Sequence, residues 1–203
     1  MAKLYWKPGN MLYPLPAVMV SVRDKGVDNI ITCAWAGTIN SDPAMLSISV
    51  RKERHSYDMI VNSKEFVVNL VTKDLVYACD WCGVRSGRDF DKFKEMKLTP
   101  LESKYVKAPS IMESPVNIEC EVVNTMDLGT HTIFMAKVLG VTVDDKYMDE
   151  TGRFNLNEAN LITYSHGRYY TLGEQIDKFG HSVRKKKWTK KEIELTISLS
   201  KKP

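Results

Sequence analysis

A mainly β fold, a Greek-key barrel with a few short helices tucked at its ends, is what the sequence predicts. Three observations lead there. Segments with strand periodicity outnumber helical ones, they recur at short spacing between turn residues, and only three stretches carry a helical repeat. No internal repeat, low-complexity tract or linker divides the 203 residues, so a single domain over 1–203 is expected, long enough to bury a core.

"PAVMVSVR" reads as the first strand and "DKGVDN" as the turn after it. "NIITCAWAG" and "PAMLSISVR" follow as strands, with "TINSDP" as their link. "SYDMIVN" has helical spacing. "EFVVNLV" is short and continuously apolar, the pattern of a strand buried on both faces. "KDLVYACDWC" and "RDFDKFKEM" are the other two helical stretches. "VNIECEVV" alternates, with Val116, Ile118, Cys120 and Val122 on one face, and it pairs across "NTMDLGT" with the long strand "HTIFMAKVLGVTV".

Composition excludes several classes. Hydrophobic content of 43% and charged content of 27% are ordinary for a soluble protein, and the longest apolar runs are strand-sized, so no membrane span is expected. The start, "MAKLYWKPGN", lacks the apolar core of a secretory signal, and four Cys do not make a disulfide framework. Both point to the cytoplasm. The net charge of +4 is unevenly placed. Residues 178–203 hold nine Lys/Arg against two Glu, leaving 20 cations against 23 anions in the rest. One Lys run around a single Trp is the pattern of a solvated terminal segment, and no nucleic-acid partner is expected.

The chemistry concentrates between Ile31 and Ile60, "ITCAWAGTINSDPAMLSISVRKERHSYDMI". In "PAMLSISVR", Ala44, Leu46, Ile48 and Val50 share one face, leaving Ser47 and Ser49 in a row that ends at Arg51. "RKERHS" adds Lys52, Arg54 and His55, then Ser56 as the N-cap of a helix from Tyr57. Free backbone N–H groups at a helix start beside Arg make an anion site suited to a phosphate. The same cations would equally do no more than solvate a strand-to-helix turn. In the preceding strand, Thr32, Ala34 and Ala36 lie on one face, with Cys33 and Trp35 on the other. Small side chains let a flat ligand reach the backbone, and Trp35 either stacks on it or packs in the core. A phosphate site one strand from such a platform describes a nucleotide-like cofactor with a planar head.

These stretches, with "EFVVNL", "GVRSGRDFDKF", "APSIMESPVNIECEV" and "LGTHTIFMAKVLGV", resemble the flavin reductase-like, FMN-binding split-barrel family, and within it the flavoredoxin-type branch. They cover most of residues 14–145, in the family's order. Residues 146–203, with C-terminal strands or helix and the basic tail, match less distinctly, although "YYTLG" and "FGHSVRKK" look like the branch's ending. The resemblance implies a homodimeric Greek-key split barrel with non-covalent FMN near the subunit interface. It places Thr32, Cys33, Ala34 and Trp35 beside the isoalloxazine, followed by Asn40. Ser49, Val50 and Arg51 fall beside the ribityl chain and phosphate, Ser56 and Tyr57 at the helix entrance, and Lys92 and Tyr164 near the flavin. Without the family, "SGRDFDKF" reads only as a surface helix capped at Ser86, with Asp89 and Lys92 as an exposed pair.

Other constellations carry less. Cys79 and Cys82 have the spacing of a redox dithiol, but they close a helix where the dipole disfavours a thiolate, so packing thiols are expected. A zinc site would want a second ligand pair, and Cys33 and Cys120 sit in separate strands without one; the four His show no metal spacing, and no Rossmann or P-loop pattern appears. No catalytic residue is expected beyond the flavin itself, and NAD(P)H would dock only transiently over it. Two classes fit: an NAD(P)H-dependent flavin or acceptor reductase, and a non-enzymatic FMN electron-transfer protein working with a redox protein partner. A flavin binder without turnover and a pyridoxamine-phosphate-oxidase-like relative are blander versions.

Overall fold

A computed structural model of the chain describes residues 1–184. Met1–Leu172 form one compact unit. The segment from Gly173 is a second, whose described part holds a 3-10 turn at His181–Val183 and an ion pair between Arg184 and Asp177 at 3.6 Å. The Lys-rich tail lies outside the described residues.

The strands are β1 Leu15–Pro16, β2 Val18–Asp24, β3 Val27–Cys33, β4 Ala36–Ser41, β5 Ala44–Arg51, β6 Glu65–Leu70, β7 Pro100–Leu101, β8 Ser110–Ile111, β9 Val116–Asp127, β10 His131–Val143, β11 Ile162–Ser165 and β12 Arg168–Thr171. The α-helices are α1 His55–Ser63, α2 Val76–Val84 and α3 Lys92–Glu95. Seven strands make one antiparallel sheet in the order β3-β2-β6-β9-β10-β5-β4, the sheet of a Greek-key split barrel. A small sheet, β1-β11-β12, stands apart from it, and β7 pairs with β8.

Two apolar clusters explain why β2 opens with the unbroken apolar run Val18–Val20. Val18, Val20 and Val22 point into the barrel with Ile48, Phe66 and Phe134. Met19 points the other way, into a second cluster with Ile30, Cys79, Cys82, Phe93 and Ile111 beneath α2. A strand covered on both faces loses the alternating pattern. β6 behaves alike: Phe66 and Val68 fill the barrel while Val67 packs on Val106 and Ala108 outside it.

Several elements differ from the sequence reading. "TINSDP" is not a link, because β4 runs to Ser41 in register with β5 and leaves only Asp42–Pro43 to turn. The strand break falls instead at Ala34–Trp35. In β9, Asn117 and Glu119 sit on the face that alternation assigns to solvent, yet they are 3% and 2% exposed. The segment before β9 crosses that face, and its backbone donors need partners. Glu119 accepts from the N–H groups of Lys104 and Tyr105 at 3.2 and 2.6 Å, and Asn69 Oδ1 accepts from Ile111 N at 2.9 Å. "RDFDKFKEM" shrinks to the one-turn α3, capped by Asp91, whose side chain accepts from Lys94 N. Ser86 does not start that helix; its hydroxyl accepts from Arg88 N in the loop before it.

Candidate functional site

β3 ends the sheet on one side and β4 on the other, so the barrel is open between them and β3 has a free edge. Just before β4, Ser49 N donates to Trp35 O at 2.8 Å, which extends the β4–β5 ladder up to the strand break. A cleft of about 500 Å³ lies along this opening. Its floor is Ile31–Cys33 at the end of β3 and the break residues Ala34 and Trp35, with Ser49, Val50 and Arg51 of β5, and α2 contributes Asp80, Gly83 and Val84. Gly83 lets α2 lie close on β3, since a Cβ there would stand 3.1 Å from Thr32 Cβ, a contact tight enough to push the two apart by a few tenths of an ångström. The Thr32 hydroxyl donates to Cys79 O, which fixes β3 to α2.

Aromatic rings wall the rest of the cleft. Tyr164 of β11 and Tyr169 of β12 reach it from the small sheet, their ring centroids 5.5 Å apart, and Tyr13 joins them at 6.3 Å from Tyr164. The Tyr169 hydroxyl donates to Asp80 Oδ1 at 3.0 Å; burial, then this bond, holds the phenol well above its ordinary range, so it stays protonated. Opposite, Trp35 lies against His131 with centroids 4.6 Å apart. Burial and then the neighbouring Arg51 push the His131 pKa down, so its imidazole is neutral near pH 7.

At one end the cleft meets a smaller pocket of about 190 Å³, and Ile31, Arg54 and Val84 line both. The pocket is built around the start of α1. Arg54 is the N-cap and no side chain caps the helix; Arg54 N and Tyr57 N donate to Arg51 O and Arg54 O at 3.1 and 2.9 Å, which leaves the N–H groups of His55 and Ser56 for a ligand. Ser56 is 1% exposed, and its hydroxyl accepts from Asn29 Nδ2 at 2.8 Å, which leaves its own proton to donate. The 85–88 loop closes the other wall. A Cβ on Gly87 would fall 2.2 Å from Asn29 Oδ1, so only glycine lets this loop approach β3. Arg54 has no ion pair among the described residues. Arg51 pairs with Glu53 at 2.6 Å, and Arg88 stands 3.8 Å from Asp58.

Lys92 lines the same pocket and is 3% exposed, not the surface partner of Asp89 that its local sequence spells. Its Nζ donates at 2.7 Å to two carbonyls, Ile30 O on the free edge of β3 and Cys82 O in the last turn of α2. An ammonium has three donors, so one remains for a ligand. Burial, opposed by the Cys82 thiol and reinforced by Arg54, lowers the Lys92 pKa to about 8.

Ten of the residues singled out in the sequence come together here. Thr32, Cys33, Ala34, Trp35, Ser49, Val50, Arg51 and Tyr164 line the cleft, and Ser56 and Lys92 line the pocket. Ser56 acts from inside α1 rather than as its cap. Two lie elsewhere. Asn40 is on β4 with its amide donating to Pro43 O, and Tyr57 turns into the core, edge-on to Phe134 with centroids 5.6 Å apart. The sequence reading missed Asn29, Gly83, Gly87, Arg88, His131 and Tyr169, which come from segments far apart in the chain. The glycines in "CGVRSGR" were the available signal. Cys79 and Cys82 are buried free thiols that burial pushes up to about 12 and about 11. Among the described residues no cluster of His, Cys, Asp or Glu suits a metal ion.

A barrel opened at one seam, with an aromatic-walled cleft that ends in a cationic pocket, defines a protein built to hold a planar ring carrying an anionic tail. The chain belongs to the Flavin reductase like domain family, which matches residues 11–173. It is similar to the flavoredoxin of Desulfovibrio vulgaris (Miyazaki F), with a TM-score of 0.84 and 27% identity over 90% of this chain and 100% of that one. Flavoredoxin from Methanosarcina acetivorans follows at 0.80 and 25%, covering 90% of this chain and all of its own. An uncharacterised protein of Archaeoglobus fulgidus is 33% identical over 160 residues, 79% of this chain and 89% of its own.

The residues present fit a flavin mononucleotide. The two cavities together fall within the 300–1,000 Å³ or so typical of cofactor sites. The donor set at the narrow end, with Arg54, Ser56 and the third proton of Lys92, is that of a phosphate site.

Proposed function

We propose that the protein is an FMN-dependent oxidoreductase of the flavin reductase and flavoredoxin kind, passing electrons from NAD(P)H or a reduced protein to an acceptor. The observation that carries this is the continuity of the ring-sized cleft with the cationic pocket at Arg54. When bound, the flavin supplies the redox chemistry, accepting and releasing electrons singly or in pairs. The chain's own residues hold and shield it. The free edge of β3 offers backbone N–H and C=O groups to the ring edge, Trp35 and the tyrosines exclude water, and the pocket anchors the phosphate.

Anaerobic addition of NADH or NADPH to the FMN-loaded protein tests the reading through the visible spectrum. Bleaching of the flavin band by either nucleotide supports the reductase. A flavin bleached only by a reduced protein partner supports the electron-transfer alternative, and failure to bind FMN overturns both.

The protein is a homodimer in this reading. Exposed Trp35, Ile39, Val123, Met126 and Leu128 lie on β4, next to it, and on the β9–β10 hairpin, and β4 presents an unpaired edge. Sedimentation at micromolar concentration is expected to give a two-chain species; a single-chain species contradicts it.

The thiols stand outside the electron path. Replacing Cys79 and Cys82 together by Ser is expected to leave FMN binding and NAD(P)H-driven or partner-driven turnover within a few-fold of wild type. Stability falls by about 1–3 kcal/mol, because a buried hydroxyl replaces each thiol. Acceptor reduction that collapses while flavin reduction continues would place the pair on the path.

A further inference from the structure

We propose that in alkaline solution the smaller pocket takes up a phosphate together with a proton held on Lys92, so that cofactor binding and proton uptake become one event there. This rests on the FMN reading above and adds a linkage to it.

The geometry makes Lys92 a captive group. Its ammonium is tethered to two carbonyls, Ile30 O of the edge strand β3 and Cys82 O in the final turn of α2, where carbonyls carry the negative end of the helix dipole. Held there at 3% exposure, it cannot swing into water when the pocket contains no anion. The ligand-free pocket is a poor place for a cation: burial lowers the Lys92 pKa to about 8, and Arg54 adds to the effect. A phosphate dianion beside the third N–H reverses both influences and restores the charged form.

The other groups around the ammonium do not change charge between pH 7 and pH 9. From α2 comes the Cys82 thiol, pushed up to about 11. The Glu53–Ser56 turn brings the Glu53 carboxylate, Arg54 and His55, whose imidazole is lowered by burial and by Arg88 and Lys92, hence neutral throughout. Arg85 and Arg88 of the facing loop are permanently charged. β3 presents only the neutral Asn29, and on α3 itself the Asp91 carboxylate is occupied at Lys94 N.

The sign follows from linkage. Below pH 8 Lys92 is protonated with and without ligand, and nothing is taken up. Above pH 8 the free protein has lost the proton and the complex keeps it, so affinity falls about tenfold per pH unit until the complex itself deprotonates.

Calorimetric titration of FMN into the wild-type protein decides it, run in non-phosphate buffers of different ionisation enthalpy at pH 7 and pH 9. Close to no proton per FMN is expected at pH 7 and close to one at pH 9, with riboflavin showing none at either. FMN binding at both pH values with no buffer-dependent heat at pH 9 overturns the proposal and leaves the FMN reading standing. No FMN binding at pH 7 overturns that reading, and the proposal with it.

Discussion

Arg54→Ala is expected to weaken FMN by about 10- to 100-fold while changing riboflavin less than about threefold. Hydrogen bonds to a charged group contribute about 1.5–3 kcal/mol, and each 1.4 kcal/mol is a factor of ten. Arg54 sits where cleft and pocket meet, it has no carboxylate partner among the described residues, and it flanks the uncapped start of α1. Arg51, the other cation of this turn that the sequence singles out, is already paired with Glu53. Its removal therefore costs less than that of Arg54. Equilibrium titrations of both flavins against both variants test this ranking, and a larger loss at Arg51 would reverse it.

Lys92→Met is expected to change how stability depends on pH. In the wild type the folded-state pKa of Lys92 is about 8 against an ordinary 10.5, so the unfolded chain binds more protons between those values. Stability therefore rises with pH across that window, and the burial penalty is fully present below it. The difference amounts to about 3 kcal/mol. Urea unfolding of the flavin-free proteins at pH 7.5 and 10.5 should show wild type gaining about that much relative to Lys92→Met. The variant at pH 7.5 loses two hydrogen bonds at Ile30 O and Cys82 O but also sheds a buried charge, so it is the pH dependence that reports on the ammonium. Parallel profiles for the two proteins would mean that Lys92 is ordinarily solvated.

The parts of this site that the sequence made legible are the local ones. The small residues from Thr32 to Ala34, the serine row of β5 and the cationic turn into α1 are contiguous, and strand parity with helix-start chemistry is enough to read them. Lys92 was different. "DKFKEM" is hydrophilic and its neighbours within the chain place it on a surface, because both of its acceptors belong to other elements, one of them 62 residues away. His131 and Tyr169 are likewise brought to the cleft by β10 and β12 pairings that no local pattern encodes. Tyr57 shows the converse: its position at the helix entrance is right, but α1 turns its ring toward Phe134 and away from the cleft. Within the fold, Asn117 and Glu119 hid behind a regular alternation because the segment they hold lies outside the strand's own sequence.

The central claim is that the cationic pocket at Arg54, Ser56 and Lys92 anchors the phosphate of a flavin lying in the cleft. Its most direct test is the pair of dissociation constants of the wild-type protein for FMN and riboflavin at pH 7, read by quenching of flavin fluorescence. The two ligands share the ring and the ribityl chain and differ only in the phosphate. FMN is expected to bind at least about 100-fold more tightly, as two or more charge-assisted hydrogen bonds require. Equal constants would contradict the account.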